Sequence, residues 1–278
     1  MSRLTKAVRK ALGIKRPHSR RHAQQARPPN FFICGAARSG TTSLWQYLRQ
    51  HPDIYMPSTI EQKEPSYFCD LYGYSEWHHY LNLFHDAGDR KRVGEASTPY
   101  LTSPESAGRI KAAIPDAKLI ISLRNPVVRA YSLYKWMHDH SYEKIASFAE
   151  ALEAEDAWRL GNDEFAKNNG QYYYNFLYYH SGLFFQQVKR YFDTFGREQV
   201  HVLIFEEFVK TPLEHVRRIS EFLGVDAGFV PKLEVHNPSA SRYPALESSL
   251  RGELTRRYRG NVLQLEALLN RELASLWM

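Results

Sequence analysis

Residues 29 to 50 read PNFFICGAARSGTTSLWQYLRQ: an apolar run, a loop bracketed by Gly35 and Gly40, then an amphipathic stretch. FFIC predicts a short buried strand, and Leu44, Tyr47 and Leu48 fall on one side of a helix. Strand, glycine turn and helix in that order open a βα unit, and such a unit needs parallel neighbours to bury it.

The chain supplies those neighbours at intervals. KRVGEAS (91–97) predicts a second strand, KLIISL (118–123) a third that is apolar on both faces, and QVHVLIF (199–205) a fourth. NPVVRAYSLYKWMH begins a helix with Pro126 in its first turn, and a long aromatic helix is expected before residue 199. TPLEHVRRISEFLGV follows the fourth strand, with Thr211 as cap and Gly224 as stop. Two closing helices, around 246–258 and 261–273, carry a stripe of Leu265, Leu268, Leu269 and Leu276. The fold class expected is α/β, a P-loop-like parallel β-sheet with helices on both faces.

Charge divides the chain unevenly. Of 37 Lys and Arg, nine lie in residues 1–30 with no acid among them, so the rest holds 28 basic against 30 acidic residues. A basic tail (1–29) and one domain (30–278) are therefore expected. Leu4, Val8 and Leu12 share a helical face in the tail, a pattern that suits either a disordered arm or peripheral contact of residues 1–30 with an anionic membrane surface. No apolar run approaches the roughly 20 residues of a membrane span. Two cysteines, Cys34 and Cys69, make no disulfide framework, and a cytoplasmic setting is expected.

The loop has the glycine spacing of a triphosphate-binding loop, G-x-x-x-x-G-K-[ST], but Thr41 stands in the lysine position with Thr42 after it. Its backbone amides and the following helix start still form an anion cradle. A magnesium triphosphate site also wants an acid at the end of another strand, whereas the third strand here ends Leu123-Arg124-Asn125. Both departures oppose triphosphate chemistry. Arg38 supplies a fixed charge inside the loop, and Arg124 with Ser132, two turns into the next helix, suggests a second anion site at the carboxyl end of the sheet.

GAARSGTTSLWQYLRQHPDI, KEPSYF, GEASTPYL and KLIISLRNPVVRAYSLY, in that order, resemble the sulfotransferases that use 3′-phosphoadenosine 5′-phosphosulfate, nearest the carbohydrate (heparan-sulfate type) and bacterial branch. The resemblance runs from about Asn30 to Trp277. It implies that Arg38, Ser39, Gly40, Thr41 and Thr42 bind the 5′-phosphosulfate and that Arg124 and Ser132 bind the 3′-phosphate, with no metal required. It also implies Glu64 of KEPSYF as the base, with Glu61 as the nearby substitute, and Arg38 beside the reacting group. Two features of the family are missing. Ala96 follows Glu95 where many heparan-type members have a lysine, and no RKG segment is present, Arg242 of SASRYP being the residue in a comparable place.

The expected function is metal-free, in-line transfer of a sulfuryl group to a hydroxyl, less readily an amine, of a carbohydrate or glycolipid. Two alternatives of other classes are a P-loop kinase or NTPase, and a membrane or nucleic-acid binding module working through the tail; the near-neutral body argues against nucleic acid as a partner. Adjacent His78 and His79 are expected to point apart and hold no metal. In QYYYNFLYYHSGLFF the aromatic stripe is expected to be core, with some of Tyr172, Tyr173 and Tyr174 open to substrate.

Overall fold

The computed structural model describes residues 27–72, 76–168, 171–233 and 245–278. The tail up to residue 26 and Arg242 lie outside the described residues. The described chain opens at Arg27, whose guanidinium donates to the carbonyls of Gly88 and Arg90 at 2.7 and 2.6 Å.

Five strands form one parallel sheet: β1 (Phe31–Ile33), β2 (Ile54–Tyr55), β3 (Arg92–Ala96), β4 (Lys118–Leu123) and β5 (Val200–Ile204), in the order β2-β3-β1-β4-β5. β1 is central, with Phe32 paired to Glu95 on one side and to Leu119 on the other. The chain builds toward β2 and β3 first and then crosses to β4, so the topological switch lies at the carboxyl end of β1, where ligands of such sheets bind.

Both faces are covered, as the continuous apolar runs of β1 and β4 require. Helices α1 (Thr41–Leu48) and α5 (Pro212–Leu223) cover one face through Leu44, Trp45, Leu48, Val216, Ile219 and Leu223. The other face carries α2 (Ser106–Ala113), α3 (Pro126–Asp139), α4 (Phe184–Phe195) and α6 (Ser248–Leu269), which bury Ile110, Leu133, Tyr191 and Tyr258 among others. Leu119, Ile120, Ile121 and Leu123 of β4 are wholly buried. Each such side chain contributes roughly 1.5–3 kcal/mol, which is why β4 is the most legible strand.

Four details differ from expectation. β2 was not anticipated, because two residues present no periodicity. The long aromatic helix begins only at Phe184; residues 173–176 and 180–182 are single 3₁₀ turns. There the backbone is satisfied by side chains instead: Arg129 donates to the Tyr178 carbonyl at 2.6 Å, and Glu155 accepts from the amides of Tyr179 and His180, each at 2.8 Å. The closing helices are one 22-residue helix, α6, running through Gly260, followed by a short Ala274–Trp277 turn. Finally, Thr211 makes no side-chain cap bond, while Gly224 ends α5 in the left-handed conformation as expected.

No helix among the described residues is long and apolar enough to cross a membrane. Cys34 and Cys69 are buried and unpaired.

Candidate active site

The loop between β1 and α1 is held from below. Ala36 donates its amide to the Ser122 carbonyl and Ser122 returns its own to Gly35, both at 2.7 Å, while the Ser122 hydroxyl donates to the Ser39 carbonyl. Gly40 caps α1 in the left-handed conformation (φ 81°), and no side chain caps this helix end. The amides of its first turn are thus left for an external acceptor. A Cβ at Gly40 would stand 2.7 Å from the Phe205 ring, so both the φ and the space exclude a larger residue. Ser39 is fully buried, and its hydroxyl has no hydrogen-bond partner among the described residues. Thr41 is buried and Thr42 half-buried at the helix start. An uncapped helix end with an orphaned hydroxyl beside it fits an oxygen-rich anion.

Residues expected at two separate anion positions, Arg38 and Ser132, are in contact. Arg38 (φ 66°) turns its side chain across to α3, where its Nε donates to the Ser132 hydroxyl at 3.2 Å. Arg124 donates to the Arg38 carbonyl at 3.1 Å, and its guanidinium lies 4.6 Å from the Phe205 ring centroid. Asn125 sets this geometry: its side chain accepts from the amides of Val127 and Val128 and caps α3, and its amide donates to Glu206. Burial, and then the charge of Arg124, lower the pKa of Arg38; burial lowers that of Arg124, with Glu206 opposing. The two guanidiniums share a partly desolvated corner, a setting that favours an incoming anion.

Glu64 comes from a different segment and is fastened to the end of β3. Its Oε2 accepts from the Thr98 hydroxyl at 2.7 Å and the Thr98 amide at 3.3 Å; its Oε1 accepts from the Lys63 ammonium at 2.8 Å. The Lys63 side chain is 2% exposed and that of Glu64 is 27% exposed, so the carboxylate reaches solvent and the ammonium is buried behind it. Tyr172 donates to the Glu64 carbonyl at 3.0 Å, and the Ser66 amide donates to the Ser97 hydroxyl at 3.0 Å. Thr98 also packs on the phosphate-type loop: its carbonyl would lie 2.9 Å from a Cβ at Gly35. The acid and the anion loop therefore meet across one residue.

Comparison with known proteins matches this geometry to a family. The family model described as a sulfotransferase domain matches residues 28–239. The chain belongs to the sulfotransferase family. A crystal structure of a sulfotransferase from Alicyclobacillus acidocaldarius is 40% identical with a TM-score of 0.78, covering 90% of this chain and 99% of that one. The membrane-associated sulfotransferase kil1 of Dictyostelium discoideum is 34% identical over 135 residues, 46% of this chain and 28% of kil1. Human heparan sulfate glucosamine 3-O-sulfotransferase 6 is 36% identical over 107 residues, 38% of this chain and 30% of that protein. The match thus spans less than a third of the length of these two curated relatives.

Around the site of this sulfotransferase-family domain lie residues that sequence analysis missed or left open. Thr98 was not foreseen, because its contact to Glu64 joins segments 34 residues apart that no pattern links. Lys63 adjoins Glu64 in the chain, and what the sequence does not show is that its ammonium is buried against that carboxylate. Of the two acids of this segment Glu61 is exposed, whereas Glu64 is half-buried and bonded to Thr98 and Lys63. Glu95 is fully buried, and burial pushes its pKa up to about 7; the hydroxyls of Tyr100, Tyr80 and Ser97 draw it down, although none meets its oxygens in well-formed hydrogen-bond geometry.

Of the three tyrosines, Tyr172 is the one at the Glu64 segment; Tyr173 is buried, with its hydroxyl on the Arg159 carbonyl at 2.9 Å. Tyr72 meets Tyr172 edge-on at 4.6 Å. A cleft that neither of these rings nor Glu64 lines is bordered by Asp70, Leu71, Glu105, Asp163 and Tyr174. His78 and His79 do not point apart as expected: their rings lie 4.0 Å from each other. No group of three or more His, Cys, Asp or Glu among the described residues is placed to hold a metal ion.

Proposed function

We propose that the protein transfers a sulfuryl group from 3′-phosphoadenosine 5′-phosphosulfate to a hydroxyl, less readily an amine, of a carbohydrate or glycolipid acceptor. The observation that carries this is the meeting of a clamped carboxylate, Glu64, with the Gly35–Thr42 loop through Thr98. The loop amides, Arg38 and Thr42 would hold the phosphosulfate end of the donor, and Arg124 and Ser132 its 3′-phosphate. The donor supplies a sulfur atom bonded to a stable leaving group.

Glu64 serves as the base. Its three inner bonds, two from Thr98 and one from Lys63, fix the carboxylate plane and leave an outer lone pair for an acceptor hydroxyl. When Glu64 takes that proton, the Lys63 charge behind it is no longer balanced. A positive potential then grows at the reacting centre as negative charge develops there, which compensates for the lysine absent after Glu95.

Contact of residues 1–30 with an anionic membrane, and a cytoplasmic location, belong to the same proposal. Deleting those residues should abolish cosedimentation with anionic vesicles, and unchanged cosedimentation would remove the tail from it.

The decisive test needs no acceptor: thermal stability measured with 3′,5′-adenosine bisphosphate, 5′-AMP, and ATP with magnesium. At 100 times its dissociation constant a ligand adds about 2.7 kcal/mol of stability. Stabilisation by the bisphosphate beyond that by 5′-AMP supports the proposal. Stabilisation by magnesium ATP alone would replace it with a kinase or NTPase.

A further inference from the structure

The Arg38–Ser132 contact brings a third basic side chain into the same corner. Lys135 stands three residues beyond Ser132 on α3, and residues at that spacing share a helix face. It is half-buried, with its ammonium 4.9 Å from the Tyr131 ring centroid. Burial lowers its pKa first, and the charges of Arg124 and Arg38 lower it further; Asp139, one turn on, opposes the effect at both Lys135 and Arg38. Arg38 is bonded to the serine hydroxyl, and Arg124 is bonded to Arg38 through its carbonyl. Lys135, one turn along the same helix face as Ser132, lies within electrostatic reach of both guanidiniums, with Asp139 and Glu206 as counter-charges. A plain surface pair between Lys135 and Asp139 accounts for their own i,i+4 spacing. It does not account for two guanidiniums from other elements lying near enough to Lys135 to lower its pKa.

We infer that Lys135 is a nucleotide-binding residue, a third cation beside Arg124 and Ser132, and that it sets the preference for a ribose phosphomonoester dianion over a nucleotide lacking that phosphate. A phosphomonoester carries about −1.5 to −2 charges at neutral pH, which one arginine and a hydroxyl neutralise only in part. Asp139 is then its competitor: it balances the cations in the free protein and must yield them to the phosphate. This inference rests on the donor proposed above.

The test is calorimetric titration of the full chain, wild type and variants, with 3′,5′-adenosine bisphosphate and with 5′-AMP. Lys135→Met should weaken bisphosphate binding about tenfold and leave 5′-AMP within about twofold, while Lys135→Arg should restore most of the loss. Asp139→Asn should tighten bisphosphate binding severalfold. Each variant's unfolding midpoint without ligand verifies that it folds. Unchanged bisphosphate affinity in Lys135→Met, or an equal loss for both ligands, would overturn the inference while leaving the donor intact. A wild type that does not distinguish the two nucleotides would overturn both.

Discussion

The Thr98 hydroxyl donates to the Glu64 carboxylate at 2.7 Å, and through this bond a loop acid 34 residues earlier is delivered to the end of β3. Lys63 completes the clamp from behind. The pair predicts different outcomes for two substitutions. Glu64→Gln keeps one acceptor oxygen but turns its amide nitrogen toward a donor, Lys63 or the Thr98 amide. It should cost some stability, less than the alanine variant, and leave bisphosphate affinity nearly unchanged while lowering sulfuryl transfer by about 10²–10⁴-fold. Glu64→Ala leaves a buried ammonium without its acceptor and should cost about 1–3 kcal/mol as well. Urea denaturation and isotope-labelled donor turnover measure the two effects. Equal stability of both variants would mean that Lys63 does not depend on Glu64.

Gly40 is the tightest point of the anion loop. Gly40→Ala imposes a side chain on a left-handed residue and drives its Cβ toward Phe205, the ring that supports Arg124. A loss of about 1–3 kcal/mol in stability is expected, together with weaker bisphosphate binding. Wild-type affinity in a variant of reduced stability would separate the loop from the ligand.

Glu95 gives the protein a pH dependence of opposite sign to that of most carboxylates. Its folded pKa, about 7, lies above the ordinary value of 4.5, because burial disfavours the ionised form. Its contribution to stability is complete below pH 4.5 and is lost as the pH rises through 7. The loss integrates to about 3 kcal/mol. Glu95→Gln should remove this slope and stabilise the protein at pH 8, as denaturant midpoints at pH 5, 7 and 8.5 would show. A variant with the wild-type slope would assign the effect elsewhere.

The Arg124 guanidinium donates to the carbonyl of Arg38, the residue whose side chain meets Ser132, and makes no carboxylate hydrogen bond among the described residues. Arg124→Ala should cost the bisphosphate roughly 1.5–3 kcal/mol of binding and 5′-AMP much less. Calorimetry with both nucleotides decides this, and an unchanged ratio of affinities would remove Arg124 from 3′-phosphate recognition.

What could be read along the chain were the features with a local cause. The run KLIISL is apolar at consecutive positions and must be buried on both faces; Gly35 and Gly40 bracket a turn between strand and helix; Asn125-Pro126 starts α3 by capping and fixed φ. Four strands, the helices after them and the anion loop followed from such signals, and the order of motifs pointed to the family. Tertiary structure alone decided which distant groups meet. Arg38 reaches Ser132 across 94 positions, Thr98 clamps Glu64 across 34, and the sheet order sets the ends of β3, β1 and β4 side by side. Those contacts depend on strand order and on side chains crossing between elements, and neither leaves a period or a spacing in the sequence. The same cause kept the aromatic segment from being helical throughout: Arg129 and Glu155, distant in the chain, satisfy its backbone in place of a helix.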